Sequence, residues 1–485
     1  MKILLAASEA VPFCKTGGLA DVVGALAQKL GAAGNDVCLF LPRYRSAAVP
    51  GLGDAPGQSL AVPMAGETIR ASLRYAQWRS VSLCLVDHPP YFDRAGLYGE
   101  NGIDYPDNDR RFAFFSRAVL EGARKMGFAP EIVHLHDWQT GLVASHLRAG
   151  FSADPLFSDA ASVMTVHNMA YQGVFPKESL EAAGFGPEQF RPERLEYYGK
   201  ASYLKAGLVD SDLLTTVSPT YSREIQSADK GFGLEGLLQA RRGDLFGILN
   251  GIDLEVWNPE TDACLAKTYS ARTASEGKAA NKRALRREAG LEESDVPLIG
   301  IVSRFDRQKG LDIAIEALAP RLERCQVVVL GSGDPALALA FGAFSAAHPR
   351  SVHVRQGFDE KFAHLIYAAS DLFLMPSRFE PCGLGQMIAM RYGAVPVAAR
   401  TGGLADTVEE PSDGGVGTGF VCEPGDAADL GRALERALAS HRQPSWPSRA
   451  QAAMGRDFSW DRSVDSYVEL YARARRLKSL RGKGG

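Results

Sequence analysis

The stretch SRFEPCGLGQ at residues 377–386 follows an apolar run at residues 371–375 that is typical of a buried β-strand. Its two glycines relax the backbone, and a buried helix is predicted directly after it, over residues 387–392. The stretch therefore places Glu380 and several unpaired backbone amides at the carboxyl end of a strand, where ligands of open α/β sheets bind. Taken alone, it also fits a proline- and glycine-rich turn that carries a solvated glutamate.

Short strand-like runs alternate with helical patterns along the whole chain, which is typical of parallel α/β architecture. The predicted strands cover residues 2–6, 37–41, 81–86, 132–135, 163–166, 213–217 and 246–249, and then residues 298–302, 327–330, 372–375 and 395–399. A polar, weakly periodic segment at residues 251–287 separates the two series and is interpreted as a hinge with a lead-in helix. We predict two Rossmann-like, doubly wound domains that face a cleft.

The predicted boundaries divide the chain into three parts. Residues 1–250 form the first domain, on the acceptor side, and residues 251–455 form the second, on the donor side. Residues 456–485 form an amphipathic helix and a basic tail, and we expect the helix to pack back on the first domain.

Composition narrows the class of protein. At 485 residues the chain exceeds one ordinary hydrophobic core, and 46% hydrophobic and 23% charged residues are typical of a soluble globular protein. A net charge of -3 offers no electrostatic basis for nucleic-acid binding. The seven cysteines are scattered and form no C-x-x-C pair, which favours a reducing compartment over a disulfide framework or a zinc site. We expect a cytoplasmic protein.

The first seven residues are apolar enough to be mistaken for a signal peptide. The run is short, however, and Glu9 and Lys15 follow it closely, so we interpret it as the first β-strand. The sequence contains nothing near the roughly 18 consecutive apolar residues that span a membrane. We therefore expect no membrane partner.

A glycine-bearing loop, KTGGL at residues 15–19, lies between the first strand and a helix predicted over residues 20–30. The helix start offers unpaired amides, and Lys15 adds a full charge, so the loop suits a phosphate. It lacks the G-x-G-x-x-G spacing of a dinucleotide site, and a tight turn with an exposed lysine is the alternative. The hexamer TGGLAD at residues 16–21 recurs at residues 401–406, which suggests two related halves.

A second cationic loop follows the strand at residues 298–302. Arg304 and Lys309 are five positions apart in it, so both side chains can turn toward one anion, and a guanidinium with an ammonium suits a diphosphate. The alternative is a pair of solvated surface cations.

Two neighbouring strands end in polar residues, Asp137 after the first and His167 after the second. Because such strand ends converge on one crevice, we predict that both side chains belong to the site. Asp137 has an alternative role as a helix cap, and His134 is predicted to be a core histidine rather than a site residue.

Two D-x-D strings, Asp107 with Asp109 and Asp210 with Asp212, could hold a divalent metal under a sugar diphosphate. The first precedes a helical stretch that it could cap, and the second leads into a strand. We expect neither a metal nor another cofactor.

Together these motifs resemble the bacterial glycogen synthases and plant starch synthases, retaining glycosyltransferases of the GT-B fold, over nearly the whole chain. The resemblance implies that Lys15 and Gly18 approach the donor phosphates and that Arg304 and Lys309 clamp the diphosphate. It implies that Asp21 faces the cleft near the donor. It implies that Glu380 binds the glucosyl hydroxyls. It also implies that Asp137 and His167 line the sugar and acceptor side and belong, with Glu380, Lys309 and Arg304, to the catalytic residues. The remaining implied substrate contacts are Asn168, Asn250, Phe358, Cys382, Gly383, Leu384 and Gly385. Two positions depart from the family pattern: Gly385 stands where threonine is usual, and Phe358 where an adenine-stacking tyrosine is common.

The expected reaction is transfer of glucose from ADP-glucose to the non-reducing end of glycogen or another α-1,4-glucan, with retention of configuration. Lys309 and Arg304 would stabilise the charge that develops on the leaving diphosphate. Three alternatives remain: a transferase with a UDP-sugar or a small acceptor, a hydrolase or phosphorylase that uses Asp137 and Glu380 as a carboxylate pair, and a silent glucan-binding protein. The cations argue against the last, because glucan binding needs no phosphate clamp.

Overall fold

A computed structural model of the chain describes residues 1–47, 49, 52, 57–100, 102–411 and 415–482. The chain divides into two compact units. The first unit comprises Met1–Val217, Ser222–Ile248 and Trp460–Gly485, and the second comprises Ser218–Tyr221 and Leu249–Ser459. The last three residues of the predicted basic tail, 483–485, lie outside the described residues.

The strands of the described residues are β1 (Lys2–Ala6), β2 (Asp36–Pro42), β3 (Gln58–Met64), β4 (Glu67–Trp78), β5 (Val81–Asp87), β6 (Gly99–Glu100), β7 (Ile103–Asp104), β8 (Ile132–His136), β9 (Ala161–Val166), β10 (Val174–Phe175), β11 (Glu196–Tyr197), β12 (Lys200–Ser202), β13 (Leu213–Thr216), β14 (Leu245–Gly247), β15 (Leu298–Val302), β16 (Gln326–Gly331), β17 (Val352–Gln356), β18 (Leu372–Met375), β19 (Val395–Ala399) and β20 (Phe420–Cys422).

The α-helices of the described residues are α1 (Gly18–Ala32), α2 (Pro89–Phe92), α3 (Asn108–Met126), α4 (Gly141–Ala149), α5 (Glu178–Ala182), α6 (Tyr203–Asp210), α7 (Pro219–Glu224), α8 (Glu235–Ala240), α9 (Ala274–Ala289), α10 (Leu311–Leu318), α11 (Pro335–Ala347), α12 (Glu360–Ala369), α13 (Gly385–Arg391), α14 (Gly402–Thr407), α15 (Ala427–His441), α16 (Trp446–Met454) and α17 (Trp460–Gly482). None of them is both long and apolar enough to cross a membrane.

The main sheet of the first unit has the order β14-β13-β9-β8-β1-β2-β5-β4-β3. Its strands pair in parallel from β14 to β5, while β4 and β3 add an antiparallel hairpin at the edge. The parallel strands are apolar on both faces because helices cover both sides of such a sheet. The order reverses direction between β1 and β8, which are adjacent and parallel.

The main sheet of the second unit has the order β17-β16-β15-β18-β19-β20, and all of its strands are parallel. Counted along the chain this is the order 3-2-1-4-5-6 of a doubly wound, Rossmann-type fold. Its order reverses between β15 and β18. The two doubly wound α/β folds expected from the sequence are therefore confirmed.

The C-terminal helix α17 belongs to the first unit. Its apolar side chains, including Trp460, Tyr467 and Tyr471, enter the core that α1 and β1 also build. At the helix start, Asp461 accepts a hydrogen bond from the ammonium group of Lys29 at 2.6 Å. The helix is fixed to the unit by apolar burial, since the ion pair is exposed and contributes little.

Candidate active site

In each unit, predicted site residues follow the two strands between which the strand order reverses. In the first unit, the loop at residues 15–18 follows β1, and Asp137 follows β8 directly. In the second unit, Arg304 and Lys309 follow β15, and the stretch with Glu380 follows β18. Doubly wound sheets bind ligands at this reversal, because the flanking loops diverge there and leave a crevice.

The loop before α1 presents an ion pair and open space. The ammonium of Lys15 lies 2.8 Å from the carboxylate of Asp21, and both side chains are partly exposed. A Cβ atom added at Gly17 or Gly18 would meet no atom of the described residues within 4 Å. The described part of the unit therefore leaves space beside the backbone at this helix start, and a ligand can approach it.

Asp137 is buried and has a strained backbone. Its φ of 56° and ψ of -175° lie in a region that is essentially restricted to glycine, which costs roughly 1–3 kcal/mol and occurs mostly at functional sites. Its side chain does not cap the short helical turn that follows, so the alternative role as a cap is wrong. The carboxyl group instead accepts a hydrogen bond from the backbone amide of His167 at 2.7 Å. Burial raises the pKa of Asp137 to about 8, against the lowering effect of the amides of His167 and Asn168.

His167 is buried beside Asp137, and its Nε2 lies 3.0 Å from Nδ1 of His136. Burial lowers the pKa of His167 to about 3, so the imidazole is neutral at neutral pH. His136 was not predicted from the sequence, because only the fold brings it against His167.

The prediction that His134 is a core histidine is confirmed. Its ring nitrogens lie 2.7 Å from the hydroxyl of Tyr471 and 2.6 Å from the hydroxyl of Thr165, all in the buried core. Asn168 has a local role, since its side-chain oxygen accepts a hydrogen bond from the amide of Ala170 at 3.0 Å and shapes the turn.

In the second unit, Lys309 and Glu380 form a direct ion pair. The ammonium nitrogen of Lys309 lies 2.6 Å from Oε2 of Glu380, and the two side chains are 18% and 6% exposed. The hydroxyl of Ser377 donates to the same carboxylate oxygen at 3.0 Å. The sequence suggested separate roles for these two residues, one on the phosphate and one on the sugar. In the structure the two side chains form one ion pair, so a change in either residue alters the electrostatic environment of the other.

Arg304 lies at the start of the loop that also carries Lys309, and its side chain is half-exposed. Its guanidinium lies 3.7 Å from the carboxylate of Asp306, a long and solvated contact that contributes little. Asp306 also accepts a hydrogen bond from the amide of Gln308 at 2.8 Å, which shapes the turn that carries Lys309.

Asn250 and Cys382 meet in the interior of the second unit. The thiol of Cys382 interacts with the backbone and side chain of Asn250, and burial raises the pKa of the thiol to about 12, so it stays neutral. Within the part of the chain that the structure describes, Oδ1 of the buried Asn250 has no hydrogen-bond donor. Because a buried unpaired acceptor is unfavourable, this oxygen is suited to accept a bond from a ligand.

The turn from Cys382 into α13 depends on glycine. Gly383 has a φ of 72°, and a Cβ atom there would come within 2.6 Å of the side chain of Gln386. Leu384 precedes the first residue of α13, which is Gly385. A Cβ atom at Gly385 would lie 3.2 Å from the ring of Phe373, so the threonine usual at this position requires that ring to shift slightly.

Phe358 lies on the loop after β17, and its side chain is 86% exposed. The preceding Gly357 has a φ of 118°, which turns the chain there. A large aromatic ring this exposed contributes little to folding, so a ligand-stacking role is consistent with its position.

All four carboxylates of the two D-x-D strings are engaged by groups of the protein. Asp107 binds the guanidinium of Arg94, and Asp109 accepts from a serine hydroxyl. Asp210 is buried against an arginine, and Asp212 accepts from the amide and hydroxyl of Ser162. These side chains anchor loops and strands of the first unit.

Among the described residues, one group could hold a cation. Ligand atoms of Asp262, Cys264 and His364 in the second unit lie within 4.8 Å of one another. Both oxygens of Asp262 already accept hydrogen bonds, from His364 and Tyr392 on one side and from the amide of Cys264 on the other. The group is therefore satisfied as a hydrogen-bonded network.

Known proteins match both units. The family described as "Starch synthase catalytic domain" matches residues 2–240, and the family described as "Glycosyl transferases group 1" matches residues 296–440. The glycogen synthase of Syntrophotalea carbinolica is 48% identical to this chain, covering 98% of it and 99% of the relative. The glycogen synthase of Elusimicrobium minutum is 46% identical, covering 97% and 99%.

Solved structures of glycosyl-transferring enzymes have the same fold as this chain. The catalytic domain of starch synthase IV from Arabidopsis thaliana, bound to ADP and acarbose, has a TM-score of 0.90 and 35% identity, covering 98% of this chain and 99% of that chain. Sucrose-phosphate synthase from Thermosynechococcus elongatus has a TM-score of 0.60 at 20% identity, which supports the fold alone. The resemblance drawn from the motifs is thus confirmed. The chain is a glycosyltransferase of the GT-B fold and belongs to the family of bacterial glycogen synthases and starch synthases.

Proposed function

We propose that this protein transfers glucose from ADP-glucose to the non-reducing end of an α-1,4-glucan, with retention of configuration and without a metal ion. The observation that carries the proposal is the ion pair of Lys309 and Glu380 at the strand-order reversal of the second unit, with Arg304 on the same loop. The starch synthase IV domain that this chain matches was solved bound to ADP and acarbose.

The second unit has the charges that a nucleotide-sugar donor requires. Cleavage of the bond between the sugar and the phosphate leaves an electron-poor sugar and a diphosphate that gains negative charge. Lys309 is held at 2.6 Å by Glu380, so its charge is in place before the reaction begins and does not have to reorganise. Arg304 is exposed enough to reach a diphosphate with its planar guanidinium. These cations perform the role that a divalent metal has in other sugar-diphosphate transferases.

The groups expected to bind sugars are available acceptors in the second unit and uncharged groups in the first. Glu380 retains a second oxygen for neighbouring glucosyl hydroxyls, and the unpaired oxygen of Asn250 can accept from another. In the first unit, Asp137 is protonated and His167 is neutral at pH 7 because burial disfavours their charged forms. Uncharged hydrogen-bonding groups suit the neutral hydroxyls of a glucan, whereas the cations of the second unit suit the donor.

The test is nucleotide release in the presence of glycogen, with ADP-glucose and UDP-glucose compared in buffer that contains a chelator. Glycogen-dependent release of ADP, with UDP-glucose much poorer, supports the donor, the acceptor and the absence of a metal together. Activity with UDP-glucose alone would replace the donor assignment. Activity lost with chelator and restored by magnesium would overturn the metal-free mechanism. Glycogen binding without nucleotide release from either donor would leave a binding protein.

A further inference from the structure

A buried carboxylate lies directly behind the loop at residues 15–18. Glu9 is 4% exposed and accepts hydrogen bonds from the backbone amide of Thr16, from the hydroxyl of Thr16 at 2.8 Å, and from the amide of Gly17 at 3.3 Å. A fourth bond comes from the hydroxyl of Tyr98 at 3.0 Å. No motif in the sequence pointed to Glu9, because its partners follow it by seven or more residues.

The carboxylate takes up amides that a phosphate would otherwise bind. Helix starts bind anions through unpaired backbone amides, and here the amides of Thr16 and Gly17 already donate to the carboxyl group of Glu9. The amide of Gly18, the first residue of α1, has no intrahelical acceptor. A Cβ atom at Gly18 would meet no atom of the described residues within 4 Å, so a ligand has space beside this residue. The loop can therefore offer a ligand the Gly18 amide and the Lys15 ammonium, in a conformation that Glu9 holds from behind.

Tyr98 in turn holds Glu9. Its hydroxyl lies 2.7 Å from Oγ of Ser8 as well as 3.0 Å from Oε1 of Glu9. Its backbone carbonyl accepts a hydrogen bond from the side chain of Asn108 at 2.9 Å, which ties the segment to the start of α3. Glu9 thus has little freedom to change rotamer, and the loop conformation is fixed through two layers of hydrogen bonds.

We propose that Glu9 is a positioning residue for the nucleotide phosphates: it holds the turn at Thr16 and Gly17 so that Lys15 and Gly18 are presented to the donor. The inference rests on the proposed function, because it takes the phosphates of a nucleoside diphosphate as the ligand of this loop. Glu9 itself touches no substrate. Its effect is on the affinity for the nucleotide, and the affinity for the glucan does not depend on it.

The experiment measures binding of ADP and of a maltooligosaccharide to the full-length protein by calorimetry, together with kcat and KM for ADP-glucose. Glu9→Gln preserves the shape of the side chain but places an amide donor against a backbone donor. We expect it to raise the Kd of ADP and the KM for ADP-glucose about tenfold, with the Kd of the maltooligosaccharide unchanged. Tyr98→Phe removes only the supporting hydroxyl and should give a smaller change in the same direction.

The matched control is Glu131→Gln in the same unit. Glu131 also accepts a hydrogen bond from a backbone amide, that of Lys2 at 2.8 Å, but it lies at the opposite end of β1. This variant should leave both affinities unchanged. If Glu9→Gln does not fold, Tyr98→Phe decides by the same measurements. Unchanged ADP affinity in the folded variants would overturn the inference, whereas an unsubstituted protein that binds no ADP would instead contradict the proposed function.

Discussion

The ion pair of Lys309 and Glu380 leads to a prediction about stability and catalysis at once. Lys309→Met keeps most of the apolar stem and removes the charge. Within the described residues, the hydroxyl of Ser377 at 3.0 Å is then the remaining donor to the carboxylate of Glu380. Breaking a buried ion pair costs 3–5 kcal/mol. Because the lysine retains 18% exposure, we expect the free energy of unfolding to fall by about 3 kcal/mol, the lower end of this range.

Turnover should fall by more than the loss of stability explains. Removing one preorganised charge that stabilises a transition state lowers kcat by about 10²-fold or more, equivalent to roughly 2.7 kcal/mol in the barrier. The assays are urea unfolding of the variant and ADP release at saturating ADP-glucose and glycogen, at a temperature where the variant is fully folded.

Lys282→Met is the matched control for this prediction. Lys282 pairs with Asp371 at 2.5 Å in the same unit, and the two side chains are 17% and 9% exposed, nearly as buried as the first pair. Its variant should lose comparable stability and retain kcat. Equal turnover losses in both variants would mean that Lys309 acts only through stability, and a kcat within threefold of the unsubstituted protein in Lys309→Met would refute its role in the transition state.

Three further predictions follow. Because burial raises the pKa of Asp137 to about 8, the folded state holds its proton more tightly than the unfolded chain, so this group's contribution to stability is present below pH 4 and lost as pH rises to 8. Asparagine at this position does not titrate, so the free energy of unfolding of Asp137→Asn, minus that of the unsubstituted protein, should increase with pH. In urea titrations we expect an increase of up to about 1.4 kcal/mol per pH unit between pH 5 and 8, and a pH-independent difference would contradict this. Phe358→Ala should raise the KM for ADP-glucose about three- to tenfold and Phe358→Tyr should not, since stacking needs only a ring; equal KM values in steady-state assays would exclude stacking. Gly385→Thr should lower the midpoint of thermal unfolding by a few degrees through its contact with Phe373, and an unchanged midpoint in calorimetry would show that the ring adapts freely.

Much of the fold was predictable from local sequence. The central parallel strands, such as β1 and β18, are continuous apolar runs because both of their faces are buried, and such runs are visible in the sequence. Four strands at or next to a sheet edge, β3, β4, β17 and β20, were missed, whereas the edge strand β14 was predicted. The hairpin of β3 and β4 has one solvated face and alternating polarity, and β20 is only three residues long. Weak, short or half-exposed patterns do not stand out from a loop.

The candidate site was predictable to the extent that its residues lie at strand ends within recognisable motifs. Lys15, Asp137, Lys309 and Glu380 each follow a strand next to the reversal of strand order, so a parallel sheet alone predicts their convergence within each unit. The supporting residues were not predictable in this way. His136 and its contact with His167 depend on how the ends of β8 and β9 align, a register that apolar periodicity does not encode.

The sequence by itself determined the alternation of strands and helices, the two doubly wound units and the charged loops at their strand ends, because apolar periodicity and glycine placement act over a few residues. The tertiary structure alone decided which charges meet. Lys309 contacts Glu380, which lies 71 positions later in the chain. Glu9 stabilises a loop by accepting hydrogen bonds from backbone amides, and the pattern of side chains does not predict such bonds. Asp137 has a strained backbone and a raised pKa. Electrostatic pairing and desolvation depend on distance in space and on burial, and both exist only once the chain has folded.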